Sequence, residues 1–278
     1  NAVLVIAGKF DQKKALSYTQ QYFASIPKPR RILEDTYTVE PIQDGERTVE
    51  LRRAGDVQYF LMGYHTPTLA DPDYAANVVL IEMLINNPSG LLYKKLIEPK
   101  LATKISGGSD VLYDPGVTYF LATMPMESEI NNVKSIFLEA ADSIAKMQIK
   151  AEDLERAKNG RVKYIDKIEN NTSKFAIELT EYIGAGDWRL WFLNRDRIEN
   201  LKVSDIERVA QKYYKRSNRT YGIFVPDNSP DRAVVNERPD FTKLLADYKG
   251  RDTRSSSERF ENNIENIKRH TVYGSLSN

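Results

Sequence analysis

The sequence has 278 residues, of which 41% are hydrophobic and 28% are charged, enough to bury a core in one large or two modest domains. Its 40 Lys and Arg nearly balance its 39 Asp and Glu, so no overall field favours nucleic acid or an anionic membrane. It has no cysteine, which excludes a disulfide framework and thiolate metal sites. Because it also lacks an apolar run of about 18 residues and a basic segment followed by an apolar one, we expect neither a membrane span nor a signal peptide in this chain.

The first residues predict a strand followed by a helix. Residues 3–8 form a continuous apolar run typical of a buried strand, and Asp11 is placed to cap a helix that extends to about residue 25. A domain seldom opens on a central strand, so we expect residues 1–30 to be a strand–helix unit in a chain cut from something larger. Residues 31–46 are polar and irregular, which predicts a linker.

Residues 57–125 predict a compact packing unit around which the rest of the chain is organised. The aromatic and apolar segment 57–67 indicates a substantially buried strand. Asp71 and Pro72 then begin a helix with almost no polar face, which should therefore be deeply buried. After a short second helix, residues 102–111 and 116–124 predict two antiparallel strands joined by a turn.

The remaining segments add helices and one more strand. Apolar periodicity predicts helices at residues 129–147, 151–169, 173–184 and 203–214, and a final strand at 220–225. From residue 227 the composition becomes polar, which predicts a linker with at most one short helix near residues 241–248. The main domain is therefore expected at residues 47–226, of the α+β class, and residues 227–278 are expected to be an extended linker.

Residue chemistry alone supports no active site in this chain. A zinc hydrolase needs His, carboxylate or Cys ligands that converge on one ion, whereas the only histidines are His65, at the end of a strand, and His270, in the polar tail. No H-x-x-E-H, H-E-x-x-H or G-x-S-x-G pattern occurs. His65 fits either a substrate contact or a structural hydrogen bond.

Several motifs together resemble one family. They are Tyr64-His65-Thr66-Pro67, Asp71-Pro72-Asp73-Tyr74, the segment 89–96 and Asp114-Pro115-Gly116. In order and spacing they resemble the second domain of the zinc-bearing half of insulinase/pitrilysin-family zinc peptidases. The resemblance implies a mainly antiparallel sheet covered by helices on one face, of the LuxS/MPP-like metallopeptidase type, preceded by a β-α piece of the neighbouring domain. It also implies that residues 227–278 lead into a second half.

Most of the functional residues of this family have no counterpart in this chain. The resemblance places the H-x-x-E-H helix before the part that residues 1–30 match, so it implies no catalytic and no metal-binding residue here. In the family's second half an Arg and a Tyr near the strand hairpin contact substrate. The matching residues 101–125 contain Tyr113 and Tyr119 but no Arg, as expected of the zinc-bearing half. The candidate substrate contacts are therefore His65, Tyr113 and Tyr119.

The resemblance implies a parent protein that is a bacterial zinc metalloendopeptidase degrading peptides or small proteins. Zinc would belong to the parent, and this chain would supply scaffold and chamber wall without catalysis. Its partners would be a peptide substrate and the remaining domains of the parent, in the periplasm or cell envelope. The alternative is a structural or peptide-binding domain of a catalytically inactive family member, and an intact H-x-x-E-H elsewhere in the parent would distinguish the two.

Overall fold

The described residues form one mixed sheet with helices, followed in the chain by a C-terminal segment. The structure, a computed structural model, describes residues 2–28, 30, 32, 40–229, 231–250 and 261–274. It divides into two compact units, residues 1–230 and 231–278. In the part of the chain that the structure describes, no helix is both long enough and apolar enough to cross a membrane.

Five strands form the sheet, in the spatial order β1-β5-β2-β4-β3. The β1 strand pairs with β5 in parallel, while the β5–β2, β2–β4 and β4–β3 pairs are antiparallel. This arrangement confirms the predicted α+β class and the mainly antiparallel sheet. The strands are β1 (Arg47–Arg53), β2 (Val57–Thr66), β3 (Lys104–Ser109), β4 (Gly116–Pro125) and β5 (Arg219–Pro226).

Helices cover one face of this sheet in two layers. The α-helices described in the first unit are α1 (Gln12–Phe23), α2 (Asp73–Ile85), α3 (Ile130–Ile144), α4 (Ala151–Glu169), α5 (Thr172–Gly184), α6 (Leu190–Glu199) and α7 (Val203–Tyr213). The predicted short helix after α2 is a π-helix (Tyr93–Ile97), and a 3-10 turn (Arg216–Asn218) precedes β5. The strands are contacted by α2, α3 and α7, whereas α4 and α6 pack on α2 from outside. Lying between two layers, α2 buries ten of its thirteen residues, as its nearly all-apolar sequence predicts.

The core lies between the sheet and this inner helix layer. Alternate side chains of β2 and β4 point into it, among them the fully buried Phe60, Met62 and Phe120. The side chains between them point to the other face of the sheet, because successive residues of a strand face opposite ways. That second face has no helix on it in the part of the chain that is described.

A buried carboxylate joins the start of α2 to α7. The side chain of Asp73 is 5% exposed and accepts hydrogen bonds from Arg208 at 2.5 Å, Lys212 at 2.7 Å and Tyr213 at 3.0 Å. Burial alone would raise the pKa of Asp73, but the hydrogen bonds from Lys212, Arg208 and Tyr213 outweigh it and lower that pKa. The charged form is therefore the one that this contact stabilises.

The end of the segment predicted as a linker is fixed to the sheet. The buried Gln43 amide donates to the backbone carbonyl of Arg219 at 2.9 Å. The Arg219 guanidinium, 3% exposed, forms ion pairs with Glu46 and with Asp142 of α3. The direction in which the chain enters β1 is thus set by contacts with β5 and α3.

Two local predictions were wrong. Residues 3–8 form no strand, and Val3, Leu4 and Ile6 are 65%, 54% and 46% exposed. An apolar run becomes a strand only when a neighbouring strand supplies hydrogen bonds, and the described residues supply none to this segment. The second unit contains two short helices, α8 (Phe241–Leu244) and α9 (Ile264–His270), where at most one was expected.

The α9 helix has an identifiable start signal. The Asn263 side chain accepts a hydrogen bond from the backbone N–H of Asn266 at 2.8 Å, which is N-cap geometry. The polar composition around it concealed this cap in the sequence.

Candidate functional site

The uncovered face of the sheet is an apolar surface, which we call the open face. It is formed by the outward-pointing side chains of β1, β5, β2 and β4. Three of these, Val49, Leu61 and Tyr119, are 56%, 43% and 39% exposed. Large apolar side chains in contiguous exposed positions mark interaction surfaces more often than isolated ones do, so this face is the first candidate for a binding site.

A cavity of about 660 Å³ lies on the open face, lined mainly by apolar side chains. Its floor includes two glycines on neighbouring strands, Gly222 of β5 and Gly63 of β2. A β-carbon added at Gly222 would meet no atom closer than 3.8 Å, whereas one at Gly63 would lie 3.3 Å from Val117. The missing side chain at Gly222 therefore leaves open space in the sheet surface rather than a close contact.

Strand register defines the walls of this cavity. Gly222 pairs with Val49 on one side and with Leu61 on the other, so two apolar side chains flank it. Phe224 follows two residues along on the same face of β5. The depression is thus lined by apolar side chains on three sides.

The rim of the cavity carries the polar groups. The His65 imidazole Nε2 lies 3.1 Å from a carboxylate oxygen of Glu40, and Asn218 holds the end of β2 by donating to the His65 carbonyl at 2.9 Å. Arg47 also lines the cavity.

His65 and Glu40 also border a second cavity, of about 690 Å³. Asp71, Asp114 and Tyr213 line it as well. Within the described ranges, no group of three or more His, Asp or Glu residues could hold a metal ion. The described residues around this cavity therefore do not form a zinc site.

The structure brings two of the three candidate substrate contacts together. Because His65 pairs with Val117 in the β2–β4 ladder, and Tyr119 lies two residues further along β4, both His65 and Tyr119 line the cavity on the open face. Tyr113 does not line it. It is 71% exposed on the β3–β4 turn, where its ring lies against Gly186 between α5 and α6.

Arg47, Gly63 and Gly222 are among the lining residues that were not identified from the sequence. The period-two pattern of β2 places Leu61, Gly63 and His65 on one face, so this pattern contains the signal for Gly63. Arg47 and Gly222 come from strands that join the sheet through long-range pairing, and no local pattern identifies them.

The sequence matches the family described as the peptidase M16 inactive domain over residues 1–161. Among curated proteins, it is 24% identical over 236 residues to a protein named zinc protease PqqE from Helicobacter pylori. That alignment covers 81% of this chain and 52% of the relative. The chain thus spans about half the length of the curated relative that it matches.

Solved structures show the same similarity. The inactive peptidase domain from Bordetella parapertussis is 33% identical with a TM-score of 0.58, and the match covers 66% of this chain and 99% of that one. A protease from Helicobacter pylori superposes with a TM-score of 0.71 at 23% identity, over 78% of this chain and 54% of that one. The second likeness supports the fold alone.

Proposed function

Because this chain belongs to the peptidase M16 family, matching its inactive domain, we propose that it is a non-catalytic part of a bacterial zinc metalloendopeptidase and forms a wall of the chamber that holds peptide substrates. The observation that carries this proposal is the open face, an exposed apolar surface with a cavity of about 660 Å³. In this role, zinc belongs to another part of the protein.

The open face has the chemistry of a peptide-binding wall. Apolar surface with a few polar groups at its rim is the usual composition of a binding site. Val49, Leu61 and Tyr119 would contact apolar side chains of an extended peptide, and His65 with Glu40 would contact its polar groups. Binding energy collected away from the reacting bond aligns the peptide with the catalytic centre and so lowers the barrier.

Steady-state kinetics of the zinc protease that carries this domain test the proposal. Gly222→Val fills the depression with a residue that favours strands and meets no atom within 3.8 Å at its β-carbon. We expect KM for an apolar peptide to rise about tenfold, equivalent to ~1.4 kcal/mol, with kcat nearly unchanged, as for lost uniform binding. An unchanged KM in the folded variant would contradict the proposal.

The matched control is Arg53→Gln. Arg53 lies on the same strand as Arg47 but does not line the cavity, so KM should stay at the wild-type value. The 278-residue chain alone should leave a fluorogenic peptide uncleaved. Chelator-sensitive hydrolysis by that chain would refute the non-catalytic role.

A further inference from the structure

We propose that the open face selects extended peptide segments in which a bulky apolar residue is accompanied by a nearby acidic one. The apolar side chain would occupy the depression over Gly222, and the carboxylate would pair with Arg47. This inference rests on the proposed function, because it names the class of peptide that the same wall would take.

The spacing of the two positions follows from the strand register. Arg47 pairs with Thr220 and Val49 with Gly222 in the parallel β1–β5 ladder. Residues two apart on a strand share a face and lie about 7 Å apart. Arg47 therefore lies beside the depression on the same face of the sheet. When one side chain of an extended peptide occupies the depression over Gly222, the peptide side chain two residues away is within reach of Arg47.

The charges at the rim favour an acidic ligand. Among the described residues, no carboxylate forms an ion pair with Arg47, and Arg47 is exposed on an edge strand. Glu40 is the acidic residue among those lining the cavity, and its carboxylate already contacts His65 at 3.1 Å. Among the described residues, Arg47 thus has no ion-pair partner, whereas Glu40 has one.

The depression itself requires an apolar side chain. Val49 and Leu61 flank Gly222, and neither offers a hydrogen-bonding group. A polar side chain placed there would lose its water without finding a partner, which is costly. The proposed ligand is therefore defined by two features together, and neither an acidic nor an apolar peptide alone has both.

The test uses three blocked peptides with no terminal charges. Each has the same leucine- and phenylalanine-rich sequence and one variable residue, which is glutamate, glutamine or lysine. Binding of the 278-residue chain is followed by the anisotropy of an uncharged fluorophore. We expect the glutamate peptide to bind about threefold more tightly than the glutamine peptide, the size typical of an exposed ion pair, and the lysine peptide to bind most weakly.

Variants of the chain test which residues cause the preference for the glutamate peptide. Arg47→Gln should make the glutamate and glutamine peptides bind equally, whereas Arg53→Gln, the control on the same strand, should leave the threefold preference intact. Gly222→Val should weaken all three peptides together. If its thermal unfolding shows a folding defect, Leu61→Gln at a position that is 43% exposed serves the same purpose.

The outcomes separate this inference from the function on which it rests. Equal binding of the three peptides, lost in Gly222→Val, would overturn the acidic preference and leave the peptide-binding wall standing. Absence of binding to the wild-type chain would overturn both. Self-association of the chain that Gly222→Val abolishes would show that a second copy occupies the face, and would also overturn the inference.

Discussion

Replacing Asp73 with asparagine should destabilise the domain by about 2 kcal/mol at neutral pH. Asparagine keeps the shape of the side chain but removes the charge that Arg208 and Lys212 contact at 2.5 and 2.7 Å. Hydrogen bonds to a charged group contribute about 1.5–3 kcal/mol each. Both cations are about half exposed, at 51% and 54%, and water compensates them in the variant, so the expected loss lies near the value for one such bond rather than two.

The same contact predicts a pH dependence. The pKa of Asp73 is lowered in the folded protein from its ordinary value of 3.8, so the folded state binds this proton less readily than the unfolded state. The stabilisation is therefore complete well above pH 3.8 and is lost as the pH falls through the folded pKa. The difference between wild type and Asp73→Asn should shrink accordingly in acid.

Urea unfolding at pH 7 and at pH 3 measures both effects. Asp153→Asn is the control, because Asp153 is 43% exposed and pairs with Arg156 on the surface of α4, where a loss below about 0.5 kcal/mol is expected. Equal stability of Asp73→Asn and wild type at pH 7 would refute the reasoning. A difference that stays constant between the two pH values would refute its electrostatic part.

Two further predictions concern packing and buried polar groups. Gly107→Ala should lower the free energy of unfolding by about 1–3 kcal/mol, because its β-carbon would lie 2.9 Å from the Tyr119 carbonyl oxygen. Gly222→Ala should leave stability nearly unchanged, because its β-carbon would meet nothing closer than 3.8 Å. Equal losses in chemical unfolding would contradict this distinction. Tyr214→Phe should cost about 1–2 kcal/mol, since it removes the 2.7 Å hydrogen bond to the buried Asn77, and a thermal unfolding curve like that of wild type would show that this bond contributes nothing.

Local patterns predicted most of the elements of this fold. The aromatic and apolar composition of β2, the turn before β4 and the apolar run of α2 each have one physical explanation, and the structure confirms all three elements. The pairing of β1 with β5 has no such local signal. These strands are far apart in sequence and meet because β5 inserts between β1 and β2, which depends on the packing of the helices between them.

Only part of the candidate site was predictable from the sequence. His65 and Tyr119 lie on β2 and β4, which are neighbouring strands of the unit formed by residues 57–125, and the β2–β4 register brings them together. Arg47 and Gly222 depend on the β1–β5 pairing and could not be placed. Tyr113 was a candidate because it lies in the segment that the resemblance matches to the family's substrate-contacting hairpin. A turn residue has no fixed face, however, and the ring of Tyr113 lies against the helical side of the domain instead.

The proposal that the open face binds peptide is tested most directly by photo-crosslinking. An extended apolar peptide with a benzophenone side chain is irradiated with the 278-residue chain, and the attachment points are mapped by mass spectrometry. We predict attachment at open-face residues such as Val49, Leu61 and Tyr119, and its loss in Gly222→Val. Attachment confined to the helical side of the domain, or attachment unchanged in Gly222→Val, would contradict the proposal.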